Sequence, residues 1–222
     1  MEQTECILPD YGVLTGPQIE FINKNSYKIR HRTGEIIFRQ ERPVTHLIFV
    51  RSGLLKLYKE LEEGREIILD IISEQQFIGL TSIFYENLNP YSTSSIVEGE
   101  LIYTSASAIR EVVAENGKFA LKLMTLMSSR VVYLVDRMIA LTKKQVPGRI
   151  AEILLYFSKN IYKSDAFTLP LSRHEIADYV QTTKETVSRT LTEFRNDRII
   201  ELDDKNVVLK SLDLLEILNK IG

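Results

Sequence analysis

Residues 172–202 read SRHEIADYVQTTKETVSRTLTEFRNDRIIEL, and the rest of the chain is organised around this stretch. Ser172 and Glu175 form the Ser-x-x-Glu pattern of a capping box, in which the hydroxyl accepts from one early amide and the carboxylate accepts from another. A helix is therefore predicted to begin here. A second cap of this kind is predicted at Thr182 or Thr183, and two helices joined by so short a turn are typical of a helix-turn-helix.

The second helix sorts its side chains onto two faces by the 3.6-residue helical period. The face predicted to pack carries Val187, Leu191 and Phe194. The face predicted to be presented carries Glu185, Ser188, Arg189 and Thr192. Arginine suits guanine, glutamate suits cytosine and serine suits several bases when they leave the N-terminal half of a helix in the major groove. Glu185, Ser188 and Arg189 are therefore predicted to read bases. An open alternative is that Glu185 and Arg189 are only a surface ion pair, worth about 0.2–0.5 kcal/mol.

Residues 175–200, EIADYVQTTKETVSRTLTEFRNDRII, resemble the helix-turn-helix signature of the Crp/Fnr family of transcription regulators. The resemblance implies a homodimer that binds double-stranded DNA in a sequence-specific manner and acts with RNA polymerase. Glu-Thr-Val-Ser-Arg at 185–189 is closest to the Fnr-like branch, which implies a palindrome with TGA in each half-site. Lys184, where the cyclic-AMP regulator carries arginine, is a further candidate for base reading. Phosphate contacts are expected at the two helix starts, from Ser172, Arg173, His174, Thr183 and Thr186.

Composition and charge limit the classes of protein to which the chain can belong. The chain has 222 residues, of which 44% are hydrophobic and 26% charged, and its formal net charge is -2. These values are ordinary for a globular protein, and no global basic field points to nucleic acid. The single cysteine, Cys6, excludes an intrachain disulfide and a multi-cysteine iron-sulfur cluster. The sequence has neither a signal peptide nor an apolar run of about eighteen residues, so we expect a cytoplasmic protein without a membrane span.

The part of the chain before the helix-turn-helix is β-rich. From residue 26 to about 103, short runs of Ile, Val, Phe, Tyr and Leu alternate with glycines, which predicts a sandwich or roll. The glycines are interpreted as turn residues that need a positive φ, namely Gly34, Gly53, Gly64, Gly79 and Gly99. Residues 34–40, 47–58 and 76–79 resemble the cyclic-nucleotide-binding jelly roll that forms the sensor half of Crp/Fnr regulators.

The predicted fold class is α+β, in three segments. They are a jelly-roll sensing domain at 1–117, a dimerisation helix with a hinge at 118–146, and a winged helix-turn-helix domain at 147–222. The wing is predicted as a hairpin around the polar turn at 203–206. Pro147 ends the dimerisation helix, because proline lacks an amide donor and disfavours helix at the residue before it.

The sensor resemblance fails at the positions that hold cyclic AMP. In cyclic-AMP-binding members of the family, a glutamate follows the glycine that corresponds to Gly79, and an arginine-serine pair clamps the cyclic phosphate. Here Leu80 replaces the glutamate, and Tyr91 and Ser92 replace the pair. Loss of a charge-assisted contact to a buried phosphate costs on the order of several kcal/mol. Cyclic AMP is therefore disfavoured, and these four residues are predicted to line a pocket for an unidentified effector, unless the regulator needs no effector.

The long helix carries a heptad seam of apolar side chains. Its members are Met124, Met127, Val131, Leu134, Met138 and Leu141. Such a seam favours a two-helix coiled coil between subunits, which would set the spacing of about 34 Å between half-sites. A single helix buried within its own chain is the alternative. The polar residues that contact adenine in the cyclic-AMP regulator correspond to Leu134 and Val135. By that correspondence both are predicted pocket residues, but neither can make the polar contacts with adenine, which again disfavours a nucleotide.

The same sequence bears on other kinds of sensor and on other functions. A haem-based sensor of nitric oxide or carbon monoxide needs one or two axial ligands, for which His31, His46, Cys6 or a methionine are available. The alternative for both histidines is that they are polar loop residues. The sequence shows no nucleophile-base pattern, metal-ligand spacing or phosphate-cradling glycine loop, so we expect neither an enzyme nor a metal site. A nucleotide-responsive module that binds a protein partner instead of DNA also stays open.

Overall fold

The chain folds as two compact units. A computed structural model describes residues 6–9, 11–85 and 88–221. The first unit comprises Met1–Arg65 and Leu69–Val132, and the second comprises Glu66–Ile68 and Tyr133–Gly222. This division falls within the long helix. The segment boundaries predicted at 117 and 146, and the hinge at Pro147, stay predictions.

The first unit is a roll of two sheets. Its strands are β1 (Ser26–His31), β2 (Ile36–Phe38), β3 (His46–Val50), β4 (Leu54–Glu60), β5 (Glu66–Ile72), β6 (Phe77–Ile78), β7 (Ser92–Val97) and β8 (Gly99–Ser105). The four-stranded sheets have the orders β1-β8-β3-β6 and β2-β7-β4-β5. Strand β8 pairs antiparallel with β1 and β3, and β7 pairs antiparallel with β2 and β4. The predicted β roll is confirmed.

Two glycines meet where the chain crosses itself at the start of β8. A Cβ on Gly99 would lie 2.0 Å from the carbonyl oxygen of Ser52, and a Cβ on Gly53 would lie 2.8 Å from that of Val97. Gly53 also has a φ of +94°, as expected for a turn glycine. Gly99 has no positive φ, so the turn interpretation is wrong for it. Close approach of two backbones, rather than backbone conformation, requires glycine there.

Helices pack on one face of the β1-β8-β3-β6 sheet. They are α1 (Gly16–Lys24), α2 (Ala106–Glu115) and the first turns of α3 (Gly117–Lys143). Strand β3 shows why both faces of the sheet are buried, since Leu47 and Phe49 pack in the cluster with the helices whereas Ile48 and Val50 pack inside the roll. This split follows from the two-residue period of a strand. The predicted long helix from residue 118 is confirmed.

The second unit combines helices with a small sheet. The helices are α4 (Val146–Tyr156), α5 (Arg173–Val180), α6 (Lys184–Asn196) and α7 (Leu212–Ile221), and a π-helical turn follows α4 at Phe157–Tyr162. The strands are β9 (Ala166–Thr168), β10 (Ile200–Asp203) and β11 (Asn206–Leu209), in the order β10-β11-β9. The apolar side chains of Ile150, Ile153 and Leu154 on α4, and of Phe157 directly after it, are buried.

Candidate nucleic-acid interface and sensor residues

The two helices of the motif are capped by local side chains. At the start of α5, the Ser172 hydroxyl accepts from the amide of Glu175 at 3.2 Å, and the Glu175 carboxylate accepts from the amide of Ser172 at 2.9 Å. This is the predicted capping box. At the start of α6, Thr183 is the cap, and its hydroxyl accepts from the amide of Thr186 at 3.2 Å. Thr182 is therefore not the cap, and Glu185 takes no part in a second capping box.

Helix α6 buries one face and presents the other, as its periodicity predicted. Val187, Leu191 and Phe194 are buried. Glu185 and Arg189 are exposed, and Ser188 is half-buried between them and the packed face. Within residues 184–192 of α6, the exposed residues are Lys184, Glu185, Arg189 and Thr192. Thr190 is also buried.

The ion pair of Arg189 differs from the one considered in the sequence. Its Nε lies 3.8 Å from a carboxylate oxygen of Glu193, one turn further along the helix. The alternative of a surface pair between Glu185 and Arg189 is therefore not the pair found in this structure. Both partners are largely exposed, at 71% and 56% of their side chains. An exposed pair of this kind contributes about 0–1 kcal/mol, so it can be exchanged for a contact with a base at little cost.

Arg173 joins the start of α5 to the tip of the wing. Its guanidinium donates to the carbonyl oxygen of Asp204 at 2.7 Å. Burial lowers the pKa of Arg173 from its ordinary value, and the carboxylate of Asp204 opposes that shift. His174 beside it is exposed and lies 3.8 Å from Asp178 on the same helix. Arg173, one of the predicted phosphate-contacting residues, is therefore in contact with the wing.

The wing is the predicted hairpin with one strand more. Strands β10 and β11 pair from Ile200 with Leu209 to Asp203 with Asn206, which leaves a two-residue turn at 204–205. Strand β9, which was not predicted, pairs antiparallel with the other edge of β11. The pairing of β9 with β11 joins residues about 40 positions apart, a distance over which a sequence pattern carries no register information.

The four pocket residues predicted at the roll have different surroundings, and the effector pocket stays a prediction. Leu80 is buried in the cluster that packs against the helices, whereas Tyr91 packs against the cluster inside the roll. The buried hydroxyl of Ser92 accepts from the amide of Gln40 at 2.9 Å and donates to Glu60 at 3.2 Å. Gly79 has a φ of +84°, which suits a turn. Leu134 and Val135 are exposed and belong to the second unit.

A buried ion pair that the sequence did not predict lies in the first unit. Asp70 on β5 is 1% exposed and pairs with the guanidinium of Arg130 on α3, whose side chain is 30% exposed. One carboxylate oxygen of Asp70 also accepts from the amide of Ile71 at 2.7 Å. The available signal was an acidic residue inside the apolar run IILDII, residues 67–72 of β5. Its partner could not have been read from the same pattern.

Sequence relatives extend over most of the chain. The CRP-like cAMP-activated global transcriptional regulator of Mycobacterium tuberculosis is 25% identical over 216 residues, which cover 94% of this chain and 96% of that protein. The transcriptional activator protein anr of Pseudomonas aeruginosa is 29% identical over 188 residues, which cover 82% and 77%. The solved structure of FixK2 from Bradyrhizobium japonicum has a TM-score of 0.80 and 24% identity, and the alignment covers 87% of this chain and 97% of that one.

Two family models match the two halves of the chain. The model of the cyclic nucleotide-binding domain matches residues 28–116, and that of the Crp-like helix-turn-helix domain matches residues 148–218. The chain belongs to the Crp/Fnr family. It is therefore a DNA-binding transcription regulator and not an enzyme, as the resemblance in residues 175–200 implied.

Both histidines among the candidate haem ligands of this Crp/Fnr protein lie in strands, so their interpretation as loop residues is wrong. His31 is 6% exposed at the end of β1, where Nε2 lies 2.8 Å from the Tyr103 hydroxyl and Nδ1 lies 3.0 Å from Glu35. His46 begins β3, with Nδ1 2.8 Å from the Thr45 hydroxyl. Within the described residues, no group of three or more His, Cys, Asp or Glu side chains could hold a metal ion.

The predicted seam lies on the surface of α3. Met124, Val131, Leu134 and Met138 are exposed, and Met127 and Leu141 are half-buried. Only Phe119 and Leu123 are buried among the residues of α3. The alternative of a helix buried within its own chain is therefore wrong. In the described part of this Crp/Fnr chain, no helix is long and apolar enough to cross a membrane.

Proposed function

We propose that this regulator binds, as a homodimer, a palindromic operator with TGA in each half-site and acts with RNA polymerase at promoters. The observation that carries the proposal is the division of α6 into a buried apolar face and a presented face with Glu185 and Arg189 in its N-terminal half. A recognition helix uses those positions to reach base edges in the major groove. Membership of a family of transcription regulators supports the same conclusion.

Each presented side chain has a proposed base. Arg189 donates to O6 and N7 of a guanine, and Glu185 accepts from N4 of a cytosine. Ser188 contacts a neighbouring A·T pair, and Lys184 contacts a base or the adjoining phosphate. The exposed pair between Arg189 and Glu193 would open on binding. It contributes less free energy than the bidentate contact with guanine that replaces it.

The phosphate contacts come from the helix starts. Ser172, Arg173 and His174 lie at the start of α5, and Thr183 and Thr186 lie at the start of α6. Amides and hydroxyls at such ends suit phosphate oxygens. These contacts position the protein on the duplex and carry no sequence information. Arg173 has a second proposed role, because its bond to Asp204 places the wing beside α5.

Arg189→Ala is expected to weaken binding to the matched duplex by about 1–3 kcal/mol and to relax the preference for one base pair. The reason is loss of the only proposed contact with guanine. Quantitative gel shifts would compare a TGA palindrome with the same duplex altered at that guanine. Arg195→Ala is the matched control, because Arg195 is exposed in the last turn of the same helix. Equal weakening on both duplexes by Arg189→Ala would contradict the assignment.

We further propose that the effector, if one is needed, is not cyclic AMP. Leu80 offers no carboxylate to a ribose, and Ser92 already bonds within the protein. The Mycobacterium tuberculosis relative is described as activated by cAMP, so loss of that response would separate this chain from a protein to which it is 25% identical. The histidines favour no haem site, because their ring nitrogens contact protein groups.

Calorimetric titration of the purified protein with cyclic AMP is expected to show no binding at micromolar concentrations. Without the phosphate cation, a ligand loses a charge-assisted contact worth on the order of several kcal/mol, which corresponds to at least a hundredfold in affinity. Saturable binding with a micromolar dissociation constant would contradict the proposal. Gel shifts with and without cyclic AMP would show the same result through DNA affinity.

A further inference from the structure

A recess of about 490 Å³ lies in the second unit. It is formed by α3, α4, α5 and α7, and its lining includes Tyr133, Arg137, Ala140, Glu152, Tyr179 and Lys220. This volume falls within the roughly 300–1,000 Å³ that is usual for small-molecule sites. None of the four residues predicted to line an effector pocket at the roll takes part in it. The recess is therefore large enough for a small molecule, and its lining residues differ from those predicted at the roll.

Two tyrosines give the recess a flat and rigid wall. The Tyr133 and Tyr179 side chains are hydrogen-bonded to each other, and burial raises the pKa of Tyr133 above its ordinary value. The Arg137 guanidinium lies 3.5 Å from the centre of the Tyr179 ring and donates to the Tyr179 carbonyl oxygen at 2.8 Å. Arginine on one face of the ring fixes it in place, and aromatic walls of this kind suit planar ligands.

Positive charge dominates the lining. Four cationic residues, Arg137, Lys143, Lys144 and Lys220, face two carboxylate residues, Asp136 and Glu152. Lys144 is committed within the protein, since it donates to Asn219 at 2.6 Å and lies 3.1 Å from Glu152. Lys143 and Lys220 are exposed. A concave surface with excess positive charge attracts anions, and its two exposed lysines are the groups able to reach one.

The recess also avoids the proposed dimer seam. Tyr133, Arg137 and Ala140 each precede a seam residue by one position, namely Leu134, Met138 and Leu141. One residue turns an α-helix by about 100°, so these side chains point away from the seam. Pairing of two copies through the seam would therefore leave the recess open.

We propose that this recess binds a small planar anion, a ring that carries a carboxylate or phosphate group. The ring packs against the half-buried Tyr133, which Tyr179 holds by a hydrogen bond, and Lys143 and Lys220 hold the anionic group. An occupant would contact both α3 and the first helix of the helix-turn-helix, so it could influence DNA binding. That regulatory consequence rests on the proposed function, whereas the binding itself does not.

Isothermal titration calorimetry on the full chain without DNA tests the site, with salicylate as the carboxylate probe and adenosine 5′-monophosphate as the phosphate probe. We expect saturable binding of at least one of them with a dissociation constant below about 1 mM, and at least tenfold weaker binding of inorganic phosphate, which lacks the ring. Binding of salicylate alone would assign a carboxylate ligand, and binding of the nucleotide alone a phosphate ligand.

The variants Lys143→Glu and Lys220→Glu should each weaken that binding at least tenfold, because they reverse a charge at the mouth. Lys118→Glu is the control, since this exposed lysine begins the same helix in the first unit. Failure of both probes to bind, or binding that neither variant weakens, would overturn the proposal. Because the titration contains no DNA, its outcome is independent of whether the TGA operator is recognised.

Discussion

Arg130→Met is expected to lower the free energy of unfolding of the first unit by about 3–5 kcal/mol, through loss of the ion pair with Asp70. The remaining carboxylate would be 1% exposed and deprived of its cation, although it would still accept from the amide of Ile71. Asp70→Asn should cost less, because the guanidinium that it leaves behind is 30% exposed and can be hydrated. Urea unfolding followed by circular dichroism would measure both changes.

The matched control is Arg51→Met. Arg51 pairs with Glu100 at 2.9 Å, with side chains 52% and 37% exposed, so its loss should cost only about 0–1 kcal/mol. The double variant Asp70→Leu with Arg130→Met should regain most of the stability lost by Arg130→Met, because apolar replacement of a buried pair is often neutral or favourable. A loss from Arg130→Met no larger than that from Arg51→Met would show that the pair is not buried as described.

Features with local causes could be predicted from the sequence. The capping box at Ser172 and Glu175 needs only residues three apart, and the faces of α6 follow from a helical period. The jelly roll, the long helix and the hairpin of the wing could likewise be predicted, from β-rich runs between glycines, from a heptad pattern and from a polar turn. The first helix of the motif ends at Val180, and Gln181 caps it in a left-handed conformation.

Features that join distant positions could not be predicted. Asp70 and Arg130 are 60 residues apart, and nothing in either segment specifies the other. The same holds for Arg173 with the carbonyl of Asp204, and for β9 beside β11. The sequence shows a glycine at position 99, but the reason for it is the close approach of the backbone at Ser52, which exists only in the folded roll. The pair of Arg189 with Glu193 also shows that periodicity allows several partners, among which it does not choose.

The apolar surface of α3 bears on how one chain could read a palindrome. Exposed seam residues include Met138 at 60% and Val131 at 56%. Large apolar side chains repeated at heptad spacing are stabilised by burial against a second helix. A palindrome needs two recognition helices, and a second copy of this chain supplies both the second helix and the cover for the seam. Dimerisation through α3 is therefore part of the proposed function.

Met138→Glu should convert the dimer to monomers and weaken binding to a palindromic operator at least a hundredfold. In a symmetric seam the new carboxylate faces its own copy across the dimer axis, and like charges in such a position cost several kcal/mol. The isolated chain should tolerate the change, because Met138 is exposed. Ser129→Glu is the control, since it adds the same charge at an exposed position of α3 outside the seam. Sedimentation equilibrium and gel shifts would measure the two effects. A Met138→Glu protein that stays dimeric at micromolar concentration would place the interface elsewhere, whereas a monomer with undiminished operator affinity would mean that the reader domain acts alone.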